Sequence, residues 1–190
     1  MSISTFSNAL ILMVSLTLSQ QAIAADEQAL KTEALSIVKQ FGGALKPQLV
    51  HAMKQGGPVH AIDVCATQAP KIAQKLSTKT GWEVKRVSLK TRNANAATPD
   101  DWEKEVLKSF DQQQADGKKV GKMMTYSLKG NTFRFMKAQG VQPICLTCHG
   151  SNIKPNVRKA LNKHFPNDLA TGYNLGQVRG AISLTKFLNQ

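Results

Sequence analysis

The stretch QPICLTCHGSN, Gln142–Asn152, sets two thiols three residues apart, Cys145 and Cys148, and places an imidazole directly after the second, His149. Several chemistries use that spacing. Two thiols on one turn can add to the two vinyl groups along one edge of a porphyrin, and the next histidine then stands as the proximal iron ligand. A redox dithiol needs a helix N-terminus after a strand; here HGSNIKPN follows, with Gly150 and Pro155 breaking any long helix. Zinc needs four ligands, and His164 and Cys65 would have to join from a spacing that matches no zinc module. A small structural disulfide between Cys145 and Cys148 is the plainest alternative. Covalent attachment gives every residue of CLTCH except the two spacers a task. The expectation is therefore one haem c, held through thioethers at Cys145 and Cys148, with His149 on the iron.

The first residues bear on the compartment. Met1–Ala24 carries no charged side chain, ALILMVSLTL is an apolar run too short to span a bilayer, and Ala22-Ile23-Ala24 offers small residues where a signal peptidase reads. A cleaved leader over residues 1–24 and an exported, periplasmic mature chain over residues 25–190 are expected, with no further segment able to cross a membrane. That mature length suits one domain with a sizeable core. Lys and Arg number 25 against 12 Asp and Glu, a net charge of +13. In an exported protein this points away from nucleic acid and toward anionic counterparts: a membrane surface, an acidic redox partner, or the carboxylates of a cofactor. A basic surface serving solubility is the plain alternative.

An odd cysteine in an oxidising compartment needs a role. Cys65 can pair between chains, stay buried and inert, or ligate iron on the face opposite His149. Iron in a c-type site takes its sixth ligand from Met, His or, less often, a Cys thiolate. Residue type alone ranks His51, His60, His164, Met53, Met123, Met124 and Met136 ahead of Cys65. For the haem carboxylates, KRVSLKTRN offers Lys85, Arg86, Lys90 and Arg92. The guanidinium forks of Arg86 and Arg92 are the candidates, against the alternative of an exposed basic strand edge.

These side chains need elements to hold them. Leu30, Ala34, Ile37, Phe41, Leu45, Leu49 and Met53 recur at helical spacing, with Pro47 predicting a kink or two helices end to end. Gly56-Gly57 ends that helix and Pro58 opens another, on which Ala61, Ile62, Cys65, Ala66 and Ala69 share a face until Pro70 interrupts. GWEVKRVSLK reads as a strand whose alternation changes phase, predicting a bulge near Lys85-Arg86. Thr98 is the expected N-cap of the next helix, with Pro99 first and Asp101 completing a capping box. Met124–Leu128, Thr132–Ala138 and Val178–Leu184 read as strands and Pro155–His164 as a helix. Trp82, Phe133 and Phe135 fall at core positions. Helices first, then strands broken by helices, argue an α+β fold with a mostly antiparallel sheet.

GPVHAIDVCATQAPKIA, GWEVKRVSLKTRNANAATPDDWEKEVL, QPICLTCHG and YNLGQVRGAISL, in that order, resemble a family of exported c-type haem domains. It was long catalogued as a domain of unknown function, with a cyanobacterial haem protein as its structural reference. The resemblance spans most of the mature chain; RNANAATPD is a variant of the family's usual Asn-Pro-rich loop. It implies a PAS-like antiparallel sheet with a long N-terminal helix and flanking helices, and haem c with His and Cys axial ligands. The family's Cys ligand comes from the AIDVC block, which puts that role on Cys65, and His149 carries the other. A homodimer through the N-terminal helix is an analogy at the level of the fold. Six-coordinate iron has no open position for substrate, so no enzyme is expected. A redox- or gas-responsive sensor module and an electron-transfer cytochrome with an acidic redox partner are the two functions that fit.

Overall fold

The computed structural model describes the backbone of residues 7–188 and the side chains of residues 26–188; the leader expected over residues 1–24 lies outside the described side chains. Helix α1, Ser7–Thr80, follows the apolar period of its sequence, burying Ala34, Ile37, Phe41, Ala61, Ile62, Ala69, Ile72 and Leu76. Its dihedrals leave the helical region at one residue, Gly57, with φ 67° and ψ −165°. This is backbone that essentially only glycine adopts, and it divides the helix where the Gly-Gly pair predicts. The kink expected at Pro47 does not appear in the dihedrals, and Pro70 lies within helix as well. A proline ring fixes a φ that is itself helical, so the chain gives up a hydrogen bond there without leaving the helix.

Strands β1 (Glu83–Val87), β2 (Met124–Lys129), β3 (Thr132–Gly140) and β4 (Val178–Phe187) form one antiparallel sheet in the order β1-β4-β3-β2. The last strand of the chain thus lies inside the sheet, between β1 and β3. On one face, Phe41, Ile37 and Leu76 of α1 pack against Trp82, Val84, Phe133, Phe135, Ile182 and Leu184. Helix α3, Asp101–Ala115, covers the other face, where Leu107 and Phe110 meet Val87, Met136, Ala138 and Ala181.

This double cover explains the phase change along β1. Pairing runs unbroken from Glu83↔Thr185 to Val87↔Ala181, so there is no bulge at Lys85-Arg86. Trp82 and Val84 belong to the α1 side and Val87 to the α3 side because both faces are dry. The sheet's register shift falls instead at Gln139/Gly140.

Helix α3 starts two residues later than Thr98 suggests. Residues Ala94–Ala97 form a short helix of their own, α2, and the Thr98 hydroxyl donates to the Ala94 carbonyl at its end, 2.7 Å. The N-cap of α3 is Asp100. Its carboxylate accepts the Glu103 N–H at 3.0 Å, and the Glu103 carboxylate accepts the Asp100 N–H at 2.9 Å. Glu103 is wholly buried, with Lys85 at 3.0 Å, Arg134 at 3.3 Å and the Ser183 hydroxyl donating at 2.6 Å. Helices α4, Leu146–His149, and α5, Pro155–His164, complete the α+β fold. Among the described residues, no helix is long and apolar enough to cross a membrane.

Candidate functional site

Cys145 closes a 3₁₀ turn, Pro143–Cys145, and Cys148 and His149 follow on the single turn of α4. Gly150 ends it by donating to the Leu146 carbonyl at 2.9 Å; a Cβ there would come within 2.7 Å of that oxygen, so the tight exit needs glycine. Two apolar clusters seat the turn. Cys145 and Leu146 pack on Val141, Ala170 and Tyr173, while Cys148 packs beside Ile62, Ile153, Val157 and Leu161. The segment before β4 is stitched to it, the Gly172 N–H donating to the Gly150 carbonyl at 3.0 Å and the Tyr173 N–H to the His149 carbonyl at 2.9 Å.

The second half of α1 brings Cys65 to the same place. Ala61, Ile62, Cys65, Ala66 and Ala69 line a cavity of about 430 Å³, and Cys145, Cys148 and His149 line it too. That volume falls in the range of cofactor sites, roughly 300–1,000 Å³. The small α1 residues let a broad, flat group approach the helix closely. All three thiols are free. Burial pushes the Cys65 thiol up, against the lowering charges of Arg86 and Arg92, and burial pushes the Cys148 thiol up as well. Among the described residues, no three His, Cys, Asp or Glu gather closely enough to hold a metal ion by themselves. The thiols and imidazole border a space, as partners of a large cofactor would.

Of the residues weighed against Cys65, only Met53 borders the cavity. Met123 and Met136 are buried in the sheet's other core, Met124 is exposed on β2, and His164 lies 2.6 Å from Asp63. His51 and His60 are exposed.

His149 is oriented by its surroundings. Nδ1 donates to the Ala170 carbonyl at 2.7 Å. Because one nitrogen cannot donate and accept together, Arg179 Nε, 3.2 Å from the same Nδ1, stands there as a neighbouring charge. Nε2 then carries the lone pair, which accepts from Arg92 Nη1 at a long 3.4 Å and would have to exchange that contact for a metal. Burial, then the charges of Arg179 and Arg92, lower the imidazole pKa to about 2, so it is neutral at any ordinary pH.

The cavity wall is cationic. Lys85, Arg86, Arg92 and Arg179 line it, and no Asp or Glu does. Arg92 is a strut beneath the motif: Nε donates to Asp168 at 3.1 Å, and Nη2 reaches Asp168 at 3.0 Å, the Ala170 carbonyl at 3.2 Å and the Cys148 carbonyl. Among the described residues, Arg86 spends only Nε on protein, donating to Gln139 at 3.3 Å. Sequence reasoning missed Arg179, Asp168 and the Ala170 carbonyl. Arg179 lies on a strand segment read for its apolar residues, and nothing in the chain order ties the 168–173 loop to a motif some twenty residues earlier.

A family model, Tll0287-like, matches residues 10–186. The chain belongs to the Tll0287-like family. No curated protein matches it. As a Tll0287-like chain it is similar in structure to a protein described as the cyanobacterial heme-protein Tll0287, seen in a crystal structure. The TM-score is 0.68 at 23% identity, over 85% of this chain and 97% of that one. The likeness carries the fold: a long first helix and one antiparallel sheet.

Proposed function

We propose that this chain is a c-type haem protein and that ligation at its iron responds to redox state. One observation carries the proposal: Cys65, Cys145, Cys148 and His149 border a single cofactor-sized cavity whose wall has four cationic side chains and no acid. The residues fit the group. Cys145 and Cys148 would hold it through thioethers, His149 would offer Nε2, fixed in that tautomer by the Ala170 carbonyl, and Cys65 would be the second ligand to iron. When bound, haem supplies a one-electron iron centre.

Cys65 decides what that centre is good for. Left alone, burial keeps it a neutral thiol. Beside ferric iron Cys65 would be held as thiolate, which would favour the oxidised state; ligand identity moves haem potentials over a range of about 0.8 V. Were that centre reduced, the demand would weaken, and burial would favour Cys65 as a neutral thiol that takes one proton from solvent. A module whose ligand leaves on reduction suits a redox or gas sensor. The leader expected in the sequence puts it in the periplasm as one domain, residues 25–190.

The test is an absorption and electron paramagnetic resonance spectrum of the oxidised protein, made in a host that matures c-type haem. A low-spin ferric signal of thiolate character is expected, lost reversibly on reduction. Cys65→Ala should keep the covalent haem and lose that signal. A His/Met or bis-His spectrum would remove Cys65 from the iron and leave the second reading, an electron carrier docking an acidic partner, which the net charge of +13 favours. A chain without haem would refute both.

A further inference from the structure

The cationic wall has a surplus that can be counted. Lys85 lies 3.0 Å from Glu103 and Arg92 lies 3.0 Å from Asp168, so two of the four cations already have carboxylates. Among the described residues, Arg86 and Arg179 have none within salt-bridge distance. Each is nevertheless held in place. Arg86 Nε donates to Gln139, and both terminal nitrogens are unpartnered among the described residues. Arg179 Nη1 donates to Ser88 Oγ at 2.8 Å and to the Lys90 carbonyl at 3.2 Å, leaving Nη2 unpartnered. Both side chains are half-buried, with the cavity in front of them. A cation turned partly from water without a counter-charge is unfavourable, and more so once a cofactor fills the cavity and excludes the remaining water. Two of them on an acid-free cavity call for an occupant that brings two negative charges.

We propose that Arg86 and Arg179 receive the two carboxylates of the occupant, one each, and that Arg92 receives neither. This rests on the haem reading above, since a haem carries two propionates. It removes Arg92 from the candidate pair because Asp168 already supplies its counter-charge, Nε and Nη2 are spent on Asp168 and on the Cys148 and Ala170 carbonyls, and Nη1 faces His149 Nε2 at 3.4 Å. It gives Arg179 a double contact, a carboxylate on one nitrogen and His149 Nδ1 beside another, 3.2 Å away. Arg179 is then a positioning residue that links the cofactor's rim to its proximal ligand.

Resonance Raman spectra of the haem-loaded protein read this directly through the propionate-bending bands. Arg86→Gln and Arg179→Gln should each shift one band and lower the reduction potential, because an uncompensated carboxylate favours ferric iron. Arg86→Lys and Arg179→Lys, which keep the charge, should restore most of the potential. Arg92→Gln should leave both bands in place and instead reduce the fraction of chains carrying covalent haem. Unshifted bands in both Gln variants, or a shift confined to Arg92→Gln, would overturn the assignment. If a Gln variant fails to accumulate, its Lys variant still decides: loss of the forked donor should move the band, and an unmoved band counts against the proposal. Wild-type protein lacking haem would sink the underlying function, a result distinct from any of these.

Discussion

His149, Arg92 and Asp168 act as one unit. The imidazole is neutral because it is buried among cations, and its tautomer is set by one backbone carbonyl. That carbonyl, of Ala170, also accepts from Arg92, and the Ala170 N–H donates to Asp168 at 2.8 Å, so the group that orients the histidine is clamped from both sides. The Arg92–Asp168 pair is mostly out of solvent, at 14% and 6% side-chain exposure. Removing one member of a buried pair strands the other and costs about 3–5 kcal/mol. Arg92→Ala should therefore lower unfolding free energy by about 3 kcal/mol or more, measured by urea denaturation of the chain. Deletion of an exposed pair such as Lys108–Glu105, at 58% and 70% exposure, should be within about 1 kcal/mol of neutral.

Two element ends carry separable tests. Helix α3 begins with a reciprocal box between Asp100 and Glu103, and losing such a cap costs about 1 kcal/mol. Burial pushes the Asp100 carboxyl up, but the Arg134 hydrogen bond, the Glu103 N–H and the charges of Arg134 and Lys85 outweigh it and hold the group below its ordinary value. A carboxyl depressed in the folded state contributes stability that is complete above the unfolded value, about 3.9, and is lost as pH falls through the folded one. Asp100→Ala should thus be less stable than the wild type at neutral pH, with the difference shrinking below about pH 4; a difference that grows in acid would contradict this. The second test is the break in α1. Gly57 has room for a Cβ, with nothing within 4 Å, but its φ of 67° does not suit one. Gly57→Ala should cost about 1–3 kcal/mol through backbone strain alone, seen as a lower melting temperature.

At the scale of the whole molecule, the sheet is a wall with two different sides. On one, α1 seals an apolar core and, past Gly57, swings Cys65 to the cavity. On the other, Glu103 fastens α3 to β1 through Lys85, to β3 through Arg134 and to β4 through Ser183. Among the described residues this carboxylate is the one fully buried acid; Glu103→Ala removes the Lys85 and Ser183 contacts and leaves Arg134 only Asp100, and should destabilise the fold by about 1–3 kcal/mol. Calorimetry should show the loss, with Cys65, Cys145, Cys148 and His149 left in place. A drop under about 1 kcal/mol would mean that water replaces the carboxylate freely.

Local signals determined a good deal of this protein. The Cys-x-x-Cys-His spacing, the shared face of Ala61, Ile62, Cys65 and Ala69, the bounds of Pro155–His164 and the strand segments are all written within a few consecutive turns of chain, where one residue's neighbours are its sequence neighbours. The misreadings came where local rules compete. Thr98 and Asp100 are both good caps, and α2 claimed the first; Val84 and Val87 look out of phase until both faces of β1 are covered. Tertiary structure alone decided which cations are spent. Arg86, Arg92 and Arg179 are chemically alike in the sequence, but Asp168 lies 76 residues from Arg92 and reaches only that one. Pairing across such separations is fixed by how the sheet and the 168–173 loop close, and no periodicity along the chain encodes it.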